Sequence, residues 1–513
     1  MSKGTSYSRM PAGMDAVGSE PNSPRELSAP FPDPSGTMIF VAGTVMAALT
    51  MASGTLPAMM AHMAWGVGIS LGLSLLIDAR HGWRNVVRAD ALMLVALYGL
   101  LFVEFLVEQP GTEAALTEPI ARRAVWLATV AMLVVALGRH LTRSREATGH
   151  RFFVTPVPPA VTLSLFWLVF VLGYMHQWVA VNFNPIAWIE YWGRPRFAQP
   201  WGRGMFGDWT ILLHELGLFL LLISPIGALI LVRRRRYSKF AVIMVGAATL
   251  LTIFYFFTEG TRHKFILKIL MFVVVWCYFQ RQSAKRVIIY MGLAMAVIYV
   301  GSGMMLTFRQ VGFWNYFEAK RSGATYEQEI SPLFVDHNII SLGRLTEAVP
   351  ERMPYLGLRV PYYGLIRPIP RAMWPNKPIG MAGFLNEALQ EEGASLTYSV
   401  TFIGEAWFAH GWAGVIGYSL LLGWLGGWWN RFGSPGNEDL GILIYASGFL
   451  ALVIGMRSML FMTTFALPTL FLMAFGMWIL RHSRTSVVPL DKYPDYARRL
   501  QRPPRRQPAQ TPW

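Results

Sequence analysis

Cysteine and charge are what this chain has least of. A single cysteine, Cys277, stands in 513 residues, and it lies within an apolar run. That excludes a disulfide framework and a thiolate metal site. Charged residues make up 14% of the chain against 54% hydrophobic ones, which rules out the three or four soluble domains this length would otherwise suggest. Acidic residues are scarcer than basic ones, 29 against 45, and the formal net charge is +16. Such a surplus raises nucleic acid as a partner. No Lys/Arg run is interleaved with stacking aromatics, however, so no nucleic acid is expected. The alternating segments of about ten residues that build a membrane β-barrel are missing too. So are a Walker loop, a dinucleotide fingerprint, a G-x-S-x-G elbow and an outward-facing DxD-like pair, and "HELGL" lacks the second histidine of a zinc protease helix. No metal or cofactor is expected.

What is present is a series of apolar runs of about 18 residues or more, the length that crosses roughly 30 Å of hydrocarbon as helix. About twelve spans are expected, at 37–57, 59–77, 90–107, 121–138, 157–181, 209–232, 239–258, 264–279, 286–308, 401–429, 439–456 and 460–480. The fold class is an all-α polytopic membrane protein. Residues 1–36 are polar and lack the charged-then-apolar order of a signal peptide. They are expected to be a disordered cytoplasmic segment ahead of an uncleaved first span. Residues 37–308 would hold nine spans, 309–400 a large loop, 401–480 three more spans, and 481–513 a basic cytoplasmic tail.

Charge sets the orientation. "DARHGWRNVVRA", "RHLTRSREATGHR", "RRRRYSK" and "QRQSAKR" fall on one side together with the basic tail, whereas "EQPGTEAALTEP" on the other side has no Lys or Arg. The positive-inside rule then places both termini in the cytoplasm. Two outer connections are long. One, 182–208, is aromatic and rich in Gly and Pro; the other, 309–400, is far longer than joining two helices requires. Loops of that length are functional or disordered. The second contains Trp314, Phe317, Leu333, Phe334, Ile339, Ile340, Leu342, Tyr362 and Leu365, too much apolar surface for disorder.

This loop carries Arg309, Arg344, Arg352, Arg359, Arg367, Arg371 and Lys377, with Arg262 and Arg457 at the outer ends of other spans. Each cation has a plain alternative, surface charge or pairing with Glu347, Glu351 or Asp336. A cation at a span end is costly and lines a site or finds a specific partner. Guanidinium forks suit phosphate and diphosphate oxygens. Residues 367–378, "RPIPRAMWPNKP", hold four prolines that push the preceding residues towards extended geometry. In a polyproline-like ribbon, Arg371, Trp374 and Lys377 would project from one side. The alternative is a stiff covering loop with Trp374 as an interfacial anchor. Glu405 in "FIGEAWFAHGW" is a candidate general base or an arginine partner. His410, and His337 in "VDHNII", are reserve proton acceptors or packed histidines. Glu104 and the His214–Glu215 pair lie within spans and can serve as helix–helix hydrogen bonds.

In order, "VDHNIISLGRL", "IRPIPRAMWPNKP" and "YSVTFIGEAWFAHGWAGVIGYSLLLGWLGG" resemble Wzy-type polymerases of bacterial O-antigen and exopolysaccharide repeat units. The matching signature is Pro370, Arg371, Trp374, Pro375, Lys377 and Pro378, then Gly404 and Glu405, with Arg262 and Arg457 as further matches across roughly residues 255–460. The resemblance implies a GT-C-like, metal-independent transferase of the bacterial inner membrane with a periplasmic loop. Undecaprenyl-diphosphate-linked oligosaccharides would be donor and acceptor, with a chain-length regulator and a flippase as partners. The mechanism expected on these residues is an inverting transfer, with Glu405, Arg371, His337 and His410 as catalytic candidates. Arg262, Arg309, Arg367, Trp374, Lys377 and Arg457 are the substrate-binding ones. A ligase-like transferase to another acceptor, or a lipid-linked oligosaccharide flippase, remain the alternatives.

Overall fold

The computed structural model describes residues 30–51, 55–109, 115–142, 157–195, 198–201, 211–279, 284–323, 333, 335–378, 380–389, 399–433 and 438–482. The N-terminal segment to residue 29 and the basic tail from residue 483 lie outside the described residues. The described chain is all helical: α1 (Pro34–Leu49), α2 (Leu56–Ala79), α3 (Ala89–Leu101), α4 (Glu118–Gly138), α5 (Pro159–Ala180), α6 (Pro185–Trp192), α7 (Ile211–Leu216), α8 (Leu220–Val232), α9 (Lys239–Thr258), α10 (Arg262–Phe279), α11 (Ala284–Phe308), α12 (Phe313–Arg321), α13 (Asn338–Ala348), α14 (Arg359–Ile366), α15 (Met381–Leu389), α16 (Thr401–Trp429), α17 (Asp439–Arg457) and α18 (Met459–His482).

Helix starts follow local chemistry. Asp33 accepts from Ser35 N at 2.7 Å ahead of Pro34, and Asn184 accepts from Ile186 N at 3.0 Å ahead of Pro185. Both are N-caps with proline in the first turn. Each of the twelve expected spans has helix in it, but among the described residues nine helices are long and apolar enough to cross a bilayer. The differences have physical causes. α1 and α3 are only 16 and 13 residues long. α10 begins "RHKFILK", and its cations lower its hydropathy.

α17 runs through the centre, with nearly every residue buried. α16 packs tightly on α4 because a Cβ at Gly423 would come 2.3 Å from Val135 O. The Gly-rich span is therefore a close-packing face. At one end of the bundle, here the basic end, four charged side chains are fully buried. Arg88 pairs with Asp78 and Asp90 at 2.8 Å each, and Arg139 reaches Asp90 at 3.5 Å. Asn430 of the turn after α16 donates to Asp90 as well. Phe31 N donates to Asn85 at 2.9 Å and Asp33 N to Asp78 at 2.8 Å, so the end of the polar N-terminal segment joins this node. Two arginines against two carboxylates leave it electrically balanced, as buried ions require. The tetra-arginine turn is at the same end, where Arg233 meets Asp439 at 3.2 Å.

Candidate anion site at the loop end

At the opposite end, three helix termini bring arginines close together, and two of these arginines reach one carboxylate. Arg262 opens α10, Arg309 follows α11 and Arg457 closes α17. Arg262 Nη2 donates to Asp336 Oδ1 at 2.7 Å and to Val335 O. Arg457 Nη2 stands 3.5 Å from Asp336 Oδ2, and its Nη1 donates to His263 Nδ1 at 2.6 Å. An arginine has no lone pair to offer, so His263 accepts here with a neutral ring. Arg309 and Arg457 act on Arg262 as like charges, and Asp336 acts as the opposite one. Three guanidiniums face the Asp336 carboxylate and the buried Glu104, whose charge also acts on Arg262, so cations are in surplus and their forks suit an oxyanion.

The Asp336 segment is held from below. Glu104, fully buried in the short turn after α3, accepts from Val335 N at 3.1 Å and His337 N at 3.4 Å. Asn338 Nδ2 donates to Leu100 O at 2.8 Å. His337 adopts a left-handed backbone (φ 49°) and is half-buried. Burial pushes its imidazole below the ordinary value, against the opposing pull of Asp336.

Glu405 occupies a neighbouring corner. It is buried in α16 and accepts from Ser458 Oγ, from Met459 N at 2.7 Å and from Leu460 N at 3.4 Å. It thus caps α18 directly after Arg457. Both carboxylate oxygens are engaged by protein donors. Arg367 lies nearby: its charge acts on Glu405, and its guanidinium carbon sits 3.8 Å above the Phe461 ring centre.

The segment "RPIPRAMWPNKP" departs from the expected ribbon. Ile369 N donates to Ile366 O, Met373 N to Pro370 O and Lys377 N to Trp374 O, each at 3.0 Å, so the chain folds through successive turns. Polyproline helix has no such internal bonds. Arg371 donates to Lys377 O at 2.7 Å and Pro378 O at 3.3 Å, and Lys377 Nζ to Arg367 O at 3.0 Å and Ile369 O at 2.8 Å. Both cations turn back on the loop's own carbonyls, and with the half-buried Trp374 they do not form one projecting face. His410 stands at a break in α16, exposed and lying against Gly357.

The sequence singled out Arg262, Arg309, His337 and Arg457, and the structure brings them together. It missed His263 and Ser458; the only sequence signal for either is adjacency to a flagged arginine. A separate buried polar group lies deeper: Lys268 of α10 donates to Leu220 O and lies 4.7 Å from the Phe256 ring centre. His176 and His214 face each other with ring centres 5.5 Å apart. Among the described residues, no group of three His, Cys, Asp or Glu is placed to hold a metal ion.

The apolar helices and their packing define a multi-pass, all-helical membrane protein. The chain matches no family model, no curated protein and no solved structure.

Proposed function

We propose that the protein is a Wzy-type polymerase. It would join undecaprenyl-diphosphate-linked oligosaccharide repeat units at the periplasmic face of the bacterial inner membrane, with both termini cytoplasmic. The observation that carries this reading is the cluster of Arg262, Arg309 and Arg457 at the end of the bundle bearing the long loop, with Arg262 and Arg457 both on Asp336. A diphosphate would take the place of the Asp336 carboxylate in the arginine forks. An acceptor hydroxyl attacks the anomeric carbon of the donor chain. The new C–O bond forms as the bond to diphosphate breaks, with inversion. The hydroxyl proton passes to a base, for which the neutral His337 imidazole is better placed than Glu405, whose oxygens are occupied by α18. The arginines stabilise the charge that develops on the departing lipid diphosphate.

The test is incubation of the full-length protein, reconstituted in vesicles, with lipid-diphosphate repeat units. A ladder of polymer supports the reading, and unchanged single units with intact protein reject it. One observation favours a second reading, a lipid-linked oligosaccharide flippase: Lys268 is a fully buried ionisable side chain inside the bundle. Transfer of a labelled lipid-linked oligosaccharide across the vesicle membrane without chain growth would select it.

A further inference from the structure

A row of apolar side chains on α14 and the turns after it faces away from the protein. Leu358, Tyr362, Leu365, Ile369 and Met373 are 76, 43, 71, 38 and 70% exposed. The first four follow the spacing of one helix face. The opposite face is seated, with Val360 buried and Gly364 O accepting from Thr463 Oγ1 at 2.6 Å. A contiguous apolar row of this kind marks an interaction surface.

Three features identify what covers it. The first is depth. Thr463 is the fifth residue of α18, so α14 lies about 6 Å down from the start of a membrane-length helix, at 1.5 Å per residue. The second is continuity, because α18 itself exposes Leu470, Met477 and Trp478, a surface of the kind that meets acyl chains. The third is charge. From residue 353 to 386 there is no Asp or Glu, whereas Arg359, Arg367, Arg371 and Lys377 all fall there. Apolar side chains beside an unbroken set of cations match the boundary between acyl chains and anionic headgroups.

We propose that α14 and the proline-rich turns form an interfacial element. It lies along the bilayer surface at the loop end, with the apolar row among the upper acyl segments and the exposed cations against lipid phosphates. The self-bracing of Arg371 and Lys377 keeps this element rigid. The inference does not depend on the polymerase reading and holds for any membrane protein built this way.

The experiment uses the full chain with Cys277→Ser, in phosphatidylethanolamine–phosphatidylglycerol vesicles. An environment-sensitive fluorophore is attached singly at Leu365→Cys and Met373→Cys. Arg352→Cys, exposed, serves as the water reference, and Leu470→Cys on α18 as the bilayer reference. At 365 and 373, quenching by lipids spin-labelled near the headgroup should exceed that at 352 by about threefold or more, with protection from aqueous iodide. Iodide quenching equal to that at 352 would put the row in water and overturn the proposal. Protection from both quenchers would show protein covering it, a second copy or another chain, and overturn it equally. If Leu365→Cys fails to give monodisperse protein, Leu358→Cys, the most exposed member of the row, replaces it.

Discussion

Glu405 of α16 accepts the backbone N–H of Met459 at 2.7 Å, so one helix caps the start of another, α18, two residues after Arg457. Glu405→Ala should therefore lower stability by about 1–2 kcal/mol, the usual worth of a lost cap. Glu405→Gln, which keeps an acceptor oxygen, should recover most of it. Thermal unfolding in detergent measures both. If polymer formation by Glu405→Gln falls only a few-fold, the residue positions Arg457; a loss of about a hundredfold or more at unchanged stability would make it the base after all.

Asp336 is the internal counter-ion of Arg262 and Arg457. Asp336→Asn should tighten binding of inorganic pyrophosphate about fivefold, the equivalent of ~1 kcal/mol for a partly exposed pair. Calorimetry on the reconstituted protein measures it. Weaker binding would mean that Asp336 orients the arginines and does not compete with the anion.

Arg371 and Lys377 bond to the same short loop, so their effects should not add. Arg371→Ala and Lys377→Ala should each speed proteolysis between residues 366 and 378, and the double variant should be little worse than either single one. Pyrophosphate affinity should stay unchanged in Arg371→Ala even as polymer length drops. A lost affinity would place Arg371 on the substrate.

His337 should impose a pH dependence. Its folded value lies below the ordinary 6.5 because burial disfavours the charged ring, so the unfolded chain binds the proton more readily. Its contribution to stability is complete above 6.5 and is lost as pH falls through the folded value. His337→Gln should flatten the stability profile relative to the parent as pH falls below about 6.5. An unchanged profile would show that the ring is not sheltered.

At the basic end, Asp90→Ala leaves Arg88 and Arg139 in a dry node with only Asp78 as counter-charge. A loss of about 3–5 kcal/mol is expected, seen as a collapse in the yield of monodisperse protein. Asp90→Asn should be milder, since its amide can still bond Asn430 and Arg88.

Much of the architecture was legible because apolar length is a property of consecutive residues. The exceptions are instructive. α3 stops at Leu101 and the chain tightens around Glu104, whose hydrogen bonds run to residues more than 200 positions away. No local pattern announces that. The arginines at the ends of α10 and α17 were visible as misplaced charge, but their meeting at Asp336 depends on how three helices pack. The proline-rich loop misled for a related reason. Proline restricts its neighbours locally, and it says nothing of a guanidinium six residues away reaching back to cap a carbonyl.

The break in α16 has a mechanical consequence. At His410 and Gly411 the backbone leaves helical geometry, with φ 59° at Gly411. Phe408 O and Ala409 O accept instead from Leu356 N and Gly357 N, each at 2.9 Å. The long connection is thus stitched into the wall of the bundle by its own main chain. Swinging it outward would strand two carbonyls, so the loop and the first turns of α16 should travel together as one lever. Chimeras that exchange the loop must carry residues 355–357 and 401–411 as a unit.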